Sequence, residues 1–237
     1  MNFKTAINNA SLELKRNKIK SALLDSEILM AKAVSKKREF IIINSKEKIE
    51  ESCYEYFKRL IHERLKGKPI AYLIGKKSFW KYDFEINDNV LIPRPDTEII
   101  IEEVLKTYKN KKRIKFLDIG VGSGCISLSI LKEKKDFLAT GVDISKDSLK
   151  ICKINANNLG VQNRFKFIKT DIDNLYKSKY DLIISNPPYI KKQDLKYLDR
   201  DIKNFEPVEA LNGGLDGLSQ IKKVINKSSE LIKKNGK

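Results

Sequence analysis

Four short apolar runs, at residues 114–119, 137–142, 165–168 and 181–184, restrict the fold more than any other feature of this chain. An apolar helical stretch over 125–131 separates the first two. A second, capped by Ser145 and carrying Leu149, Ile151 and Ile154 toward Gly160, separates the second from the third. Strands of this length alternating with helices build a parallel, doubly wound α/β sheet, because a helical crossover returns each strand in the same direction. Ligands of such sheets bind at the carboxyl ends of the strands. The residues that follow each run are therefore the first candidates for a site.

The fourth run ends in Asn186-Pro187-Pro188-Tyr189. Neither proline can donate to a ladder, and Pro188 holds Pro187 extended, so the strand stops at a stiff corner. The Asn186 amide, the Pro187 carbonyl and the Tyr189 ring project from it. That set suits a planar group bearing an NH2, such as an amide or a nucleobase; a plain strand-to-loop turn is the alternative. The first run ends in Gly120-Val121-Gly122-Ser123-Gly124, which is not G-x-G-x-x-G and fits the dinucleotide fingerprint imperfectly. Its glycines still permit a tight turn and close approach of a ligand to the helix start. Asp118 before the loop and Asp143 at the end of the second run are placed to hold ribose hydroxyls. A nucleoside-type cofactor is favoured, and the residues alone leave open which one.

Residues 1–70 read as a helical bundle. Phe3, Ala6, Ile7, Ala10 and Leu14 share one face of a first helix, and Leu24, Ile28, Ala31 and Val34 share one face of a second. A third helix is expected from about residue 46 to residue 66, stopped by Gly67 and Pro69. The bundle shows no catalytic constellation and reads as an accessory that grips a substrate. Residues 71–92 turn to β-formers, Tyr72 and Leu73 through Phe84 and Ile86, broken by Gly75 and by Asn87-Asp88-Asn89. They read as a linking β-hairpin. The remainder, residues 93–237, is the sheet domain. At its start Pro93-Arg94-Pro95 enforces an extended segment, and Asp96 or Thr97 can cap the helix that follows. Arg94, held between two prolines, suggests a positioned contact.

At 41% hydrophobic and 33% charged residues the chain has ample material for a core. Cys53, Cys125 and Cys152 contain no C-x-x-C, which supports neither a disulfide frame nor a zinc site and fits a reducing cytoplasm. His62 lies on a helical pattern, so no metal or triad role is expected of it. No signal sequence opens the chain, and no apolar run approaches the ~18 residues of a membrane helix. The net charge of +17 invites a nucleic-acid partner. The lysines are scattered, however, and no one helix or loop concentrates them. The charge counts toward work near nucleic acid, ribosomal RNA included, and not toward a nucleic-acid substrate.

With these motifs side by side, the chain resembles the S-adenosylmethionine-dependent methyltransferases of the Rossmann-like class, and more narrowly the peptide-chain release factor glutamine methyltransferases. Asn-Pro-Pro-Tyr is shared with DNA adenine and rRNA guanine methyltransferases. The stretch 92–98 around Pro93-Arg94-Pro95, and Glu206-Pro207 through Gly213-Gly214-x-Asp216-Gly217, carry the narrower likeness. The resemblance implies transfer of a methyl group from S-adenosyl-L-methionine to the side-chain amide nitrogen of a glutamine in a release factor. It implies cofactor contacts at Asp118, Gly120, Val121, Gly122, Ser123, Gly124, Asp143, Asp171, Ile172 and Asn186. Catalysis would rest on Asn186, Pro187, Pro188 and Tyr189, with Arg94 joining that corner in holding the substrate. Two rivals stay open: a nucleobase amino-group methyltransferase, and a truncated module that binds a partner and turns nothing over. Asp96 stands where the family more usually has Glu, and Ile172 where relatives often carry an aromatic against the adenine. The family also continues past residues 234–237 into further strands. The sheet is therefore expected to break off after its fourth strand, leaving the strand that carries Asn186 with an uncovered edge.

Overall fold

The computed structural model describes residues 1–175 and 178–237 and divides into two compact units. The first comprises Met1–Gly75 together with Arg200–Phe205, and the second Lys76–Asp199 with Glu206–Lys237.

The first unit contains α1 (Phe3–Arg16), α2 (Ala22–Ala33), α3 (Arg38–Ile43), α4 (Glu51–Leu65) and α5 (Ile70–Ile74). The Asn2 side chain caps α1 by accepting from the Thr5 N–H at 2.8 Å, and Lys15 and Arg16 complement the dipole at its other end. Phe3, Ala6, Ile7, Ala10 and Leu14 are buried, the face that the spacing predicts. In α2 the buried residues are Ala22, Asp25, Ser26, Leu29, Met30, Ala31 and Ala33; of the expected face Ala31 is buried, Ile28 and Val34 are half-buried and Leu24 is exposed. The apolar stripe misleads there because two polar side chains are satisfied inside: Arg64 Nε donates to Asp25 Oδ2 at 2.7 Å, and Ser26 Oγ donates to the Ala22 carbonyl. Tyr72 and Leu73, expected as strand, lie in α5. The short α3 lies outside the three helices that the spacing predicts. Gly67, at φ +101°, terminates the turn after α4.

The second unit opens with a hairpin, β1 (Lys76–Phe79) and β2 (Tyr82–Glu85). Its turn is Trp80-Lys81 rather than the Asn-Asp-Asn stretch, with Trp80 at φ +57°. Then come α6 (Glu98–Thr107), β3 (Lys115–Ile119), α7 (Cys125–Glu133), β4 (Leu138–Asp143), α8 (Lys146–Asn158), β5 (Phe165–Lys169) and β6 (Leu182–Ser185). The short helix of the first unit at Arg200–Phe205 is α9, and Ser219–Leu231 is α10. The four strands are parallel in the order β5-β4-β3-β6.

Alternation along β3 shows why helices cover both faces. Phe116 joins Ile126, Leu128 and Ile130 of α7 in one core cluster, whereas Leu117 and Ile119 join Leu231 of α10 in another. The outer edge of β6 is partly paired rather than bare. Residues 231–237 run beside it: the Tyr180 N–H donates to the Leu231 carbonyl and the Ile183 N–H to the Lys237 carbonyl, at 2.9 and 2.8 Å.

Candidate active site

The carboxyl ends of β3, β4, β5 and β6 open into one hollow of about 860 Å³. Gly120 and Gly122 line it from the turn after β3, Asp143 from the end of β4, Asp171 and Ile172 from beyond β5, and Asn186, Pro187 and Pro188 from beyond β6. Gly120, Gly122 and Gly124 all have positive φ (75°, 54° and 81°), which a side chain would strain. A Cβ on Gly122 would meet nothing within 4 Å, so the bare backbone there faces open space. At Gly124 the reason is packing: a Cβ would sit 2.6 Å from Cys152 Sγ and 2.8 Å from Leu128 Cδ1.

Asp143 is pinned. Its Oδ2 accepts from the Gly122 N–H and its Oδ1 from the Ser145 N–H, both at 2.9 Å. Burial nonetheless pushes its carboxyl above the usual range, against those two donors. Asp118 lies elsewhere. Alternation along β3 turns it toward α7, where Oδ2 accepts from Ser127 Oγ, and Oδ1 is buried with no hydrogen-bond partner. It does not line the hollow, and burial raises its carboxyl to about 7. Val121, Ser123 and Gly124 are likewise buried behind the turn. Burial pushes the Cys125 thiol up to about 12 and raises that of Cys152 well above the ordinary thiol range, so neither is a nucleophile near neutrality.

The corner after β6 is held from both sides. Upstream, Ser185 Oγ donates to the Ile119 carbonyl at 2.7 Å. Downstream, the Ile190 N–H donates to the Leu211 carbonyl and the Gly213 N–H to the Ile190 carbonyl, at 3.1 and 2.8 Å. The glycines of the 213–217 segment make this fit possible: a Cβ on Gly213 would lie 2.7 Å from Tyr189 Cα, and one on Gly217 2.6 Å from the Tyr189 carbonyl oxygen. Asn186 Nδ2 makes a long contact of 3.5 Å to Thr97 Oγ1. Tyr189 departs from the expected arrangement. It is 64% exposed and borders a separate groove between β6 and α10, not the hollow.

Arg94 does not line the hollow either. Its Nη2 donates to Glu206 Oε1 at 2.6 Å, and the Ile92 N–H donates to Glu206 Oε2 at 3.3 Å. This is the positioned contact that its setting between prolines suggests, made to a buried carboxylate 112 residues away. It ties the 90–94 segment to the chain entering Pro207. Val90 and Leu91 line one wall of the hollow, and Pro207, Glu209, Asn212, Gln220 and Lys223 another. Pro207, Glu209 and Asn212 fall within the Glu206-to-Gly217 stretch that carries the family likeness, whereas Val90, Leu91, Gln220 and Lys223 belong to no motif, so residue-by-residue reading does not reach those four.

The donor set fits a nucleoside. A fixed carboxylate, Asp143, offers acceptors for hydroxyls, Gly122 allows close approach, and Val142, Ile144 and Ile172 supply an apolar wall for a planar base.

The family described as Methyltransferase small domain matches residues 96–203, and that described as PrmC N-terminal domain matches residues 5–75. The release factor glutamine methyltransferase of Clostridium acetobutylicum is 37% identical over 241 residues, spanning 100% of this chain and 84% of the relative. The chain belongs to the release factor glutamine methyltransferase family. A second member of that family, from Buchnera aphidicola subsp. Acyrthosiphon pisum, is 35% identical over 98% of this chain and 82% of its own length. Among solved structures, the hMettl16 catalytic domain in complex with MAT2A 3'UTR hairpin 6 has a TM-score of 0.52 at 19% identity. The match covers 62% of this chain and 56% of that one, a likeness of fold alone. The fold of this release factor glutamine methyltransferase family member is thus the class I methyltransferase-like α/β fold, with a four-stranded parallel sheet and N-terminal helices. Among the described residues, no helix is long and apolar enough to cross a membrane, and no group of three or more His, Cys, Asp or Glu could hold a metal ion.

Proposed function

We propose that this protein methylates the side-chain amide nitrogen of a glutamine in a peptide-chain release factor, using S-adenosyl-L-methionine. The observation that carries the reading is that Asn186 and Pro187 share one hollow with Gly122 and Asp143, in a chain related along its whole length to enzymes of that name. When bound, S-adenosyl-L-methionine supplies an electrophilic methyl group on a sulfonium. Asp143 would hold its ribose hydroxyls, the Gly120–Gly122 turn would let it approach the backbone, and Ile172 would border its base.

The chain's part in the chemistry follows from what an amide lacks. An amide nitrogen is a weak nucleophile because its lone pair is delocalised into the carbonyl. With Nδ2 turned to Thr97, Asn186 has Oδ1 to offer, and Pro187 has its carbonyl. Two acceptors on the two N–H bonds of a carboxamide fix its plane and stabilise positive charge growing on nitrogen. Pro188 keeps the corner stiff. Arg94 acts through Glu206, as a positioning residue for the wall that carries Leu91. The N-terminal helices are the proposed grip on the protein substrate, and the cytoplasm is the proposed compartment.

A nucleobase acceptor fits less well. The charged side chains of the hollow are Asp88, Asp143, Asp171 and Glu209 against Lys223, a set that repels a phosphate backbone. Incubation with labelled cofactor and either release factor or nucleic acid, followed by peptide mass spectrometry, tests the reading. Label is expected on one glutamine of the release factor. Asn186→Ala should lower that incorporation at least a hundredfold while leaving cofactor affinity within a few fold, on the order of a lost oxyanion-type contact. Incorporation into nucleic acid, or unchanged turnover of the variant, would overturn it.

A further inference from the structure

The structure assembles what the sequence disperses. β3, β4 and β6 are parallel and in register, Lys115 opposite Leu138 and Phe116 opposite Leu182. The loops that precede them therefore emerge together, at the end of the sheet away from the hollow. Hydrogen bonds join these loops: Lys134 Nζ donates to the Lys109 carbonyl at 2.9 Å, and Lys233 Nζ to Asp181 Oδ1 at 2.7 Å. Residues 106–115, 132–138, 179–182 and 232–237 hold thirteen Lys and Arg against three acids, an excess of ten out of the chain's net +17.

The three acids do not offset the rest. Glu133 receives Trp80, Tyr82 and Lys81, Asp181 receives the Lys115 N–H and Lys233, and Asp136 receives the Arg113 N–H. Lys109, Lys111, Lys112, Arg113, Lys135 and Lys234 are exposed along this end. The hollow at the opposite end has the reverse sign, four acids against one lysine.

We propose that this basic end of the sheet docks the phosphate backbone of a duplex segment of RNA, leaving the hollow free. Tyr108, Phe137 and Tyr180 at this end are buried, at 7%, 0% and 2% exposure, and the half-buried Trp80 and Tyr82 are held against it by hydrogen bonds from their Nε1 and hydroxyl to Glu133. They offer no platform for stacking unpaired bases. The basic residues named sit mainly in the loops before the strands, among the described residues, so recognition is by charge and shape. Lysine dominates over arginine, which suits point contacts to phosphates rather than bidentate pairing to guanine. The choice of RNA over DNA rests on the proposed function, since a protein that modifies release factors works beside RNA.

The test is fluorescence anisotropy with the full chain and a labelled RNA duplex, a DNA duplex of equal length, and a poly-glutamate peptide of equal charge. About five phosphate contacts predict that log affinity falls with log salt at a slope of about −4. K109E/K111E/K112E should lose at least tenfold in affinity and about two to three units of slope. K20E/K153E/K166E, an equal charge change at exposed lysines elsewhere, should lose less than threefold. Circular dichroism of each variant guards against misfolding, and a K109Q/K111Q/K112Q variant replaces any that fails to fold. Release-factor methylation, measured separately, should be the same in both triple variants, so failure of the catalytic reading is distinguishable from failure of this one. Equal binding of poly-glutamate, tighter binding of DNA than RNA, a slope shallower than about −2, or equal losses in the two variants would overturn the proposal.

Discussion

Replacing Glu206 by Ala should cost this protein more than any other single change at the mouth of the hollow. The carboxylate is 1% exposed and receives two donors from one segment, Arg94 Nη2 at 2.6 Å and the Ile92 N–H at 3.3 Å. Arg94 is 35% exposed, so after the substitution it can turn to water. Its lost charge-assisted bond is worth about 1.5 kcal/mol, the low end of the range for such bonds. The Ile92 N–H cannot turn, because Ile92 is buried, and an orphaned donor there costs about 1–2 kcal/mol. Together these give about 3 kcal/mol, or about 6–12 °C in Tm for a unit of this size. Glu206→Gln keeps one acceptor and should cost about half as much.

Thermal denaturation followed by circular dichroism measures the loss, and an Arg94→Ala/Glu206→Ala double-mutant cycle isolates the pair, with a coupling of about 1 kcal/mol or more. Because Val90 and Leu91 line one wall and Pro207 the other, turnover should fall at least tenfold. Cofactor affinity, set by Gly122 and Asp143, should stay within about threefold. A Glu206→Ala protein that melts within about 1 °C of the parent, or that loses cofactor binding while keeping turnover, would refute the reasoning.

Asp118 makes stability depend on pH. Its carboxyl is raised to about 7, against about 3.9 in an unfolded chain, so between those values the folded protein keeps a proton that the unfolded chain has released. That contribution is present at low pH and fades as pH rises to about 7, and the Tm difference between Asp118→Asn and the parent should move in the variant's favour over that window. A constant difference contradicts it. Gly124→Ala should destabilise by about 2–5 kcal/mol, from left-handed strain plus collision with Cys152 and Leu128, read as a lowered urea midpoint. Gly213→Ala pushes a methyl into the Tyr189 backbone and should lower turnover with little change in cofactor affinity, measured by titration calorimetry. Asp25→Ala strands the Arg64 guanidinium, 12% exposed, and should cost about 3 kcal/mol in the thermal stability of the first unit.

The strands were legible because their information is local. Apolar runs bounded by turn residues place β3 to β6 within a residue or so, and the carboxyl-end rule points to one hollow. Helix faces were legible only where apolar spacing was the whole story, as in α1. In α2 the buried Asp25 finds its partner 39 residues away, and no window of sequence contains both. The same limit hid the Arg94–Glu206 pair. Asp118 departs from its expected place for a different reason. Its position beside the glycine turn is readable, but the direction of its side chain follows from strand alternation, which turns it to the α7 side. Adjacency in sequence groups Tyr189 with the corner, yet its ring borders the groove between β6 and α10, which meets the hollow only through Ser185, Pro187 and Val224.

The glycine cradle around Tyr189 and Ile190 has a bearing on how an acceptor is received. With its upstream end fastened to β3 and its downstream end sunk between Gly213 and Gly217, the Asn-Pro-Pro segment behaves as a fixed die rather than a closing jaw. An incoming glutamine must adopt the shape the die presents, so the entropy lost on docking falls on the visiting loop. A glutamine whose backbone cannot take up that shape would then be refused, however well the rest of its surface fits.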